Sequence, residues 1–267
     1  QTGPCAEALV KAGVKRVIIA CIDPDARVSG KGIKILKDAG IEVVTGVLEE
    51  EAKLINRGFF FRVTEGRPWI TLKLATGSDG NIPRSGWITG EMARRHAHLE
   101  RSSFDAILVG IGTALTDDPE LTTRIPGHMH SILRVVLDTH LRLTPNSKLV
   151  ATIAQSPLWI IHKAGAKSTG LEKAGAKLIE SDMSAKDVAR KLAEQGITRL
   201  LVEGGPKVWA SFIKEGLYDR VLWYKAPGNV PNGEPALPGI PPEKLGLRAV
   251  ESRSLSQDLL EIYEKCA

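Results

Sequence analysis

The stretch ITRLLVEGGP, residues 197–206, decides the fold class of this chain. A strand is predicted over Ile197–Glu203, with Leu200, Leu201 and Val202 as its apolar centre, and Gly204 and Gly205 end it. Pro206 then stands at the first position of a predicted helix, Lys207–Glu215, where its fixed φ is favourable. A strand that passes through paired glycines straight into a helix is typical of an α/β fold.

The same stretch is a candidate phosphate-binding loop. Glycine lets backbone N–H groups approach a ligand closely, and the start of a helix offers unpaired donors and the positive end of the helix dipole. An ordinary tight connection between a strand and a helix would have the same sequence. Both interpretations stay open on the spacing alone.

The rest of the chain alternates apolar runs with helical patterns. Strands are predicted at Trp69–Ala75, Phe104–Gly110, Leu133–Asp138, Leu158–His162, Arg220–Lys225, Leu247–Glu251 and Leu259–Glu264, and helices at Thr89–Ser102 (with Thr89 as N-cap) and Ser184–Gln195. Strands that are apolar throughout and alternate with helices indicate a parallel sheet covered on both faces. The Pro- and Gly-rich run Ala226–Pro242 is predicted to be a long loop, and such loops are often functional.

The first 66 residues show the same alternation but open on a helix. A helix at Pro4–Ala12, strands at Val14–Ile22 and Ile41–Leu48, and a break at Gly66-Arg67-Pro68 suggest the back part of a domain. We therefore expect two domains, an incomplete one at 1–66 and a larger one at 67–267.

Composition excludes several classes of protein. Hydrophobic residues make up 43% and charged residues 25%, as in ordinary globular proteins, and no apolar run is long enough to span a membrane. The net charge is +5, but the basic residues are scattered and aromatics are only 5%, which argues against nucleic-acid binding. Three dispersed cysteines and the lack of a signal-peptide pattern favour a reducing, cytoplasmic location.

A second motif, Gly110 to Pro119, follows a predicted buried strand. Gly110 and Gly112 match the first two glycines of the dinucleotide fingerprint, but Leu115 replaces the third, so the match is weak. The adjacent carboxylates Asp117 and Asp118 either cap a turn or provide a group that transfers a proton or binds a ribose hydroxyl.

Two arginines flank that motif. The guanidinium groups of Arg101 and Arg124 suit a substrate phosphate, although surface salt bridges are the commoner fate of single arginines. Metal ligands are scarce by comparison. Cys5 and Cys21 are not spaced as a metal-ligand pair, so we do not expect these residues alone to build a complete zinc deaminase site.

Taken together, these motifs resemble the bifunctional pyrimidine deaminase/reductase family of riboflavin synthesis. The resemblance covers almost the whole chain. The segments that carry it are Thr2-Gly3-Pro4-Cys5, Val17–Asp25, Asn56–Phe60, Thr71–Ala75, Trp87-Ile88-Thr89-Gly90, Gly110–Pro119 with Leu121-Thr122, Val135–Asp138, Leu201–Pro206 and Ala236-Leu237-Pro238-Gly239.

The resemblance implies a fold, a reaction and residue roles. It implies a dihydrofolate-reductase-like α/β reductase domain, preceded by a truncated cytidine-deaminase-like α/β/α domain. The implied reaction is NADPH-dependent reduction of a phosphoribosylamino-pyrimidine, with zinc belonging to the complete deaminase domain. The implied cofactor-binding residues are Ala75, Trp87, Thr113, Asp117, Thr139, Gly205, Pro206, Lys207, Val208, Trp209, Ala210 and Ser211. The implied substrate-binding residues are Ser85, Arg101, Leu121, Arg124 and Glu203.

Further expectations accompany these roles. Asp117 is our candidate for protonating or stabilising the opening sugar, and Cys5 corresponds to the last zinc ligand of the deaminase. The segment 82–87 is shorter than in the family, and the other deaminase ligands are absent, so we expect the chain as given not to deaminate. A homo-oligomer is expected, without nucleic-acid or membrane partners. The alternatives are a non-catalytic nucleotide-binding module and a reductase of the same fold that acts on another pterin-like substrate.

Overall fold

A computed structural model describes residues 5–25, 27–84, 86–123, 131–167, 170–237 and 242–265. The chain forms two compact units, Gln1–Arg67 and Pro68–Ala267. The helices are α1 (Cys5–Lys11), α2 (Lys31–Asp38), α3 (Glu49–Thr64), α4 (Glu91–Arg101), α5 (Ile111–Asp117), α6 (Lys148–Ala151), α7 (Ala185–Glu194) and α8 (Pro206–Lys214), and a 3-10 turn spans Pro242–Leu245. The strands are β1 (Arg16–Ile19), β2 (Glu42–Thr45), β3 (Trp69–Thr76), β4 (Asn81–Ile82), β5 (Ala106–Gly110), β6 (Leu133–Leu137), β7 (Leu158–His162), β8 (Lys177–Glu180), β9 (Arg199–Val202), β10 (Arg220–Lys225), β11 (Glu234–Pro235), β12 (Leu247–Leu255) and β13 (Asp258–Lys265).

The first unit is a small α/β arrangement. Strands β1 and β2 pair in parallel, as the alternating pattern predicts. Its buried core consists of Ala6, Leu36 and Ile41, which come from α1, α2 and the start of β2's segment. The prediction of a sheet covered on both faces is wrong for this unit, because the side chain of Ile18 on β1 is 59% exposed.

The second unit is built on a nine-stranded sheet in the order β12-β13-β10-β3-β9-β5-β6-β7-β8. All pairs from β10 to β8 are parallel, and β13 pairs antiparallel with both β10 and the edge strand β12. Successive residues of β5 enter different cores: Ile107 belongs to one cluster and Leu108 to the other. This sheet is therefore covered on both faces, which confirms the α/β prediction.

Two predicted helix starts have different outcomes. Ser184 caps α7 as predicted, because its Oγ accepts a hydrogen bond from the backbone N–H of Asp187 at 3.1 Å. Thr89 is not the cap of α4. The helix begins at Glu91, and the N–H of its N-cap, Gly90, donates to the buried carboxylate of Asp258 at 2.7 Å. The carboxylate of Asp258, on the distant strand β13, thus binds the start of α4, which has no side-chain cap of its own.

The parallel strands place the predicted site residues at one edge of the sheet. Strands β3, β9, β5 and β6 are neighbours and run in the same direction, so the segments that follow them lie side by side. Glu203 follows β9, the segment leading to Asp117 follows β5, and Thr139 follows β6. Among the described residues, no helix combines the length and the apolar character needed to cross a membrane.

Candidate active site

A cavity of about 1000 Å³ opens at this edge of the sheet. It brings together residues from β3, α4, β5, α5 and the loop before α8. The predicted site residues that line it are Ala75, Trp87, Arg101, Thr113, Asp117, Leu121, Glu203, Gly205 and Trp209. Candidate cofactor and substrate positions therefore share one cavity.

The central polar contact of the cavity joins Glu203 to Arg101. The Nε and one terminal nitrogen of Arg101 donate to the two carboxylate oxygens of Glu203 at 2.7 and 2.8 Å. The Nζ of Lys73 lies 3.8 Å from the same carboxylate. The remaining terminal nitrogen of Arg101 donates to the carbonyl of Thr122 at 3.3 Å. Such a two-pronged contact fixes the orientation of both side chains.

Burial and charge act in opposite directions on these groups. Burial alone would raise the pKa of Glu203, but the adjacent Arg101 and Lys73 outweigh it and hold that pKa at about 2. Burial lowers the pKa of Lys73, and the positive charge of Arg101 lowers it further, while Glu203 opposes both effects. Glu203 is thus ionised across the physiological range, as a carboxylate acceptor must be.

Lys73 and Tyr224 line the cavity but were not predicted as site residues. The ring of Tyr224 lies 5.7 Å from the Nζ of Lys73, and its hydroxyl is 2.9 Å from Nδ1 of His96 on α4. A signal for Lys73 was available in the sequence, because it is the one charged residue in the apolar strand Trp69–Thr76. A buried charge in a central strand needs a partner and commonly marks a site.

The two carboxylates at the end of α5 have different roles. Asp118 accepts a hydrogen bond from the backbone N–H of Lys148, at 2.9 Å, and so takes the capping role that the sequence left open for either residue. The carboxylate of Asp117 has no hydrogen-bond partner within the described residues and lines the cavity. Partial burial raises the pKa of Asp117, which favours retention of its proton.

The glycines at the strand ends serve two different purposes. A Cβ added at Gly204 would lie 2.6 Å from Cβ of Val208, and one at Gly110 would lie 2.8 Å from Cγ2 of the same residue. Both glycines therefore let α8 pack closely against the ends of β9 and β5. A Cβ at Gly205 would meet only Oγ1 of Thr113, at an ordinary 3.6 Å. The steric requirement thus belongs to Gly204, whereas Gly205 has room on the cavity side.

The loop before α8 also leaves backbone donors available. The N–H groups of Val208 and Trp209 both donate to the carbonyl of Gly205, at 3.0 and 3.2 Å. The N–H groups of Gly204, Gly205 and Lys207 find no acceptor among the described residues. Such a group of donors at the start of a nine-residue helix is what an anionic ligand requires.

Several predicted residues do not line the cavity. These are Thr139, Pro206, Lys207, Val208, Ala210 and Ser211. Thr139 lies at the same sheet edge, and Val208 packs against Gly110 and Gly204. Ser85 and Arg124 lie outside the described residues. Within those residues, no group of three or more His, Cys, Asp or Glu side chains could hold a metal, and Cys5 is exposed.

Comparison with known proteins shows the family to which this chain belongs. Residues 68–260 match the RibD C-terminal domain family. The chain is 37% identical to the riboflavin biosynthesis protein RibD of Aquifex aeolicus, over 99% of this chain and 77% of that protein. The chain belongs to the RibD family. RibD of Bacillus amyloliquefaciens is 42% identical over 85% of the chain and 64% of that protein.

Solved structures of the RibD family share the fold. RibD of Acinetobacter baumannii matches with a TM-score of 0.89 at 31% identity, over 100% of this chain and 77% of that one. A deaminase/reductase from Thermotoga maritima matches with a TM-score of 0.85 at 30% identity, over 99% and 75%. The chain therefore spans about three quarters of these relatives. The predicted fold class and the predicted role, an NADPH-dependent reductase of riboflavin biosynthesis, are both confirmed.

Proposed function

We propose that this chain reduces 5-amino-6-(5-phosphoribosylamino)uracil to 5-amino-6-(5-phosphoribitylamino)uracil with NADPH. The name of the Thermotoga maritima protein includes this reductase activity. The observation that carries the proposal is one cavity that combines buried charged groups with open backbone donors. A polar pyrimidine edge and an anionic cofactor need both.

The residues present fit NADPH. The N–H groups of Gly204 and Gly205 would hold a phosphate of the cofactor, with Thr113 and Ala75 lining the same cavity. When bound, NADPH supplies the hydride that reduces the sugar carbon. Trp87 is 75% exposed and stacks under the guanidinium of Arg94 at 4.4 Å, so it presents an open ring at the cavity entrance.

The charged groups fit the substrate. Glu203 offers acceptors and Lys73 offers donors, which match the N–H and C=O groups along the edge of an aminouracil. Arg101, held by Glu203, keeps one terminal nitrogen for the same ligand or for Thr122. We assign Arg101 and Arg124 to the 5′-phosphate, and Ser85 and Leu121 to the walls of that subsite.

Asp117 is assigned the proton transfer. Opening the ribose ring requires a proton at the ring oxygen, and burial raises the pKa of Asp117, which favours the protonated form that can supply it. The described residues place no hydrogen-bond partner on this carboxyl, so it can turn to a bound sugar.

The remaining predictions extend to the first unit and to assembly. We propose that residues 1–66 are the C-terminal part of a zinc deaminase domain in which Cys5 is one ligand. The described residues do not form a zinc site on their own, so no step is assigned to zinc here. A homo-oligomer and a cytoplasmic location remain predictions.

The test is NADPH oxidation, followed by the loss of its absorbance with purified protein. We expect turnover with the phosphoribosylamino-uracil and none with dihydrofolate. Equal turnover of dihydrofolate would favour a pterin reductase, and NADPH binding without turnover of either compound would favour a non-catalytic module. The charged set of Lys73, Arg101 and Glu203 argues against that module. Burying charged groups costs stability, and a module that binds no substrate has no function that would retain them.

A further inference from the structure

Arg134 on β6 is a completely buried cation outside the cavity. Its side chain has 0% exposure, and it is not among the residues that line the cavity. Within the described residues no carboxylate forms an ion pair with it. Burial lowers its pKa to about 10, while the charge of Glu120 opposes that shift. Burying a charge without a counter-ion lowers the stability of the fold, so the contacts of Arg134 are expected to have a functional role.

The contacts of Arg134 are with backbone and hydroxyl oxygens. One terminal nitrogen donates to the carbonyl of Glu120 at 3.1 Å and to Oγ1 of Thr152 at 2.6 Å. The other donates to the carbonyl of Ser156. The planar guanidinium can reach these oxygens together because its donors point in fixed, diverging directions. Arg134 therefore ties the segment after α5 to the segment after α6.

The segment that contains Glu120 is a wall of the cavity and is strained. We call residues 118–122 the wall loop; four of them, Asp118 to Leu121, line the cavity. Asp118 and Leu121 have positive φ values of 39° and 55°. For residues with a Cβ this left-handed conformation costs roughly 1–2 kcal/mol each, and it persists only where the surroundings impose it.

Three contacts impose that conformation. Asp118 is held by the N–H of Lys148 at 2.9 Å, and Thr122 is held through its carbonyl by Arg101 at 3.3 Å. Arg134 holds Glu120 between them. Its second partner, Thr152, donates to the carbonyl of Lys148 at 2.6 Å, so the contacts form a closed circuit through α6.

We propose that Arg134 is a positioning residue that holds the wall loop, and with it Leu121, in the shape the substrate meets. Of the three anchors, Arg101 also contacts Glu203 in the cavity and Lys148 lines it. Arg134 contacts the wall loop but does not line the cavity. Its effect on the reaction must therefore pass through the backbone of Glu120.

The test uses Arg134→Met, which removes the donors, and Arg134→Lys, which keeps a charge but loses the fork. The N–H of Lys148 donates to Asp118 of the wall loop, so its exchange with solvent reports whether the loop stays in place. This exchange should become faster in both variants, and more so in the methionine variant. For turnover, which rests on the proposed function, the KM of the pyrimidine substrate should rise about tenfold. The affinity for NADPH should stay within about twofold, because the loop before α8 is not touched.

A matched variant separates positioning from general loss of stability. Leu192→Ala opens a cavity on α7, in the other hydrophobic core, and also destabilises the fold. It should leave both the exchange of the Lys148 N–H and the substrate KM unchanged. If Leu192→Ala raised KM as much as Arg134→Met does, the inference would be overturned.

A double variant tests the strain directly. In a Leu121→Gly background the left-handed conformation at position 121 carries no penalty. Adding Arg134→Met should therefore accelerate exchange of the Lys148 N–H less than it does in the wild type, and full additivity would contradict the proposal. Because exchange needs no substrate, it decides the role of Arg134 even if the wild type fails to reduce the pyrimidine.

Discussion

The cavity has two walls that offer ligands different chemistry. The charged wall consists of Lys73, Arg101 and Glu203, whose side chains hold one another by ion pairs. The peptide wall consists of Gly204 and Gly205, which offer backbone N–H groups. The first depends on which side chains are present and on their protonation. The peptide wall depends on the absence of side chains at its glycines, since an added Cβ can come between the N–H donors and a ligand.

The largest effect should come from Asp117, which belongs to neither wall. Asp117→Asn keeps the shape but removes the proton, and kcat should fall about 10²–10⁴-fold, the usual contribution of a general acid. Steady-state kinetics at saturating NADPH would measure this. A variant with normal kcat would place the proton donor on the charged wall instead.

The pH dependence of the wild type gives an independent check on Asp117. A raised pKa means that the carboxyl keeps its proton to a higher pH than an ordinary aspartate. The value of kcat should therefore decline as pH rises through that pKa. The Asn variant should lack this decline while the rest of its profile is unchanged.

The charged wall is tested next, by Glu203→Gln. Removing one partner of a buried ion pair typically costs about 3–5 kcal/mol, because Arg101 and Lys73 are left buried without compensation. Urea unfolding should show this loss at neutral pH, and substrate turnover should fall with it. NADPH affinity should change little, since the peptide wall is intact.

Acid should remove the same contribution from the wild type. The pKa of Glu203 is about 2 in the folded protein against 4.5 for an ordinary glutamate. Its contribution is thus fully present above pH 4.5 and is lost as pH falls towards 2. The stability difference between wild type and Glu203→Gln should narrow over this interval. A difference that stayed constant would mean that the ion pair does not carry the effect.

The peptide wall is tested by a pair of glycine variants. Gly205→Val should weaken NADPH binding about ten- to a hundredfold while the fold survives, because the position has room for a side chain. Gly204→Ala should instead lower stability by about 1–3 kcal/mol through its contact with Val208. Fluorescence titration and thermal melts on both proteins would separate the two outcomes. A Gly205→Val protein that binds NADPH normally would rule out a ligand at this wall.

The smallest effect should come from Lys207→Ala. Lys207 does not line the cavity, and its side chain is exposed, so its charge contributes about 1 kcal/mol or less. NADPH affinity measured at two salt concentrations would check this. A large, salt-sensitive loss would show that side chains contribute to the peptide wall as well.

The sequence predicted the strands of the larger unit well because they are buried on both faces. The strands at Leu158–His162 and Arg220–Lys225 match their predictions residue for residue. The short strand β8 and the helices α5 and α6 were not predicted, since each has at most seven residues and little periodicity. The start of α4 was misplaced because its cap comes from Asp258, far away in sequence.

The candidate site was predictable only where local sequence carries the function. The glycine loop and Asp117 follow strand ends, so topology alone brought them to one edge. The pairing of Arg101 with Glu203 spans 102 positions, and no local pattern indicates which guanidinium meets which carboxylate. Lys73 was different, because its charge within the apolar strand Trp69–Thr76 marked it as a candidate, but its partner Glu203 lies 130 positions away.

Val208 restricts which sequences this fold can reach by single substitutions. A Cβ at Gly110 collides with Cγ2 of Val208, a methyl that Val208→Ala would remove, so position 110 can change once position 208 has become smaller. A Cβ at Gly204 collides at 2.6 Å with the Cβ of Val208, which alanine retains. Descendants of this chain can therefore exchange the first glycine through an ordered pair of mutations. They can exchange the second without this clash only if residue 208 itself becomes glycine, at a cost to α8 of about 1 kcal/mol.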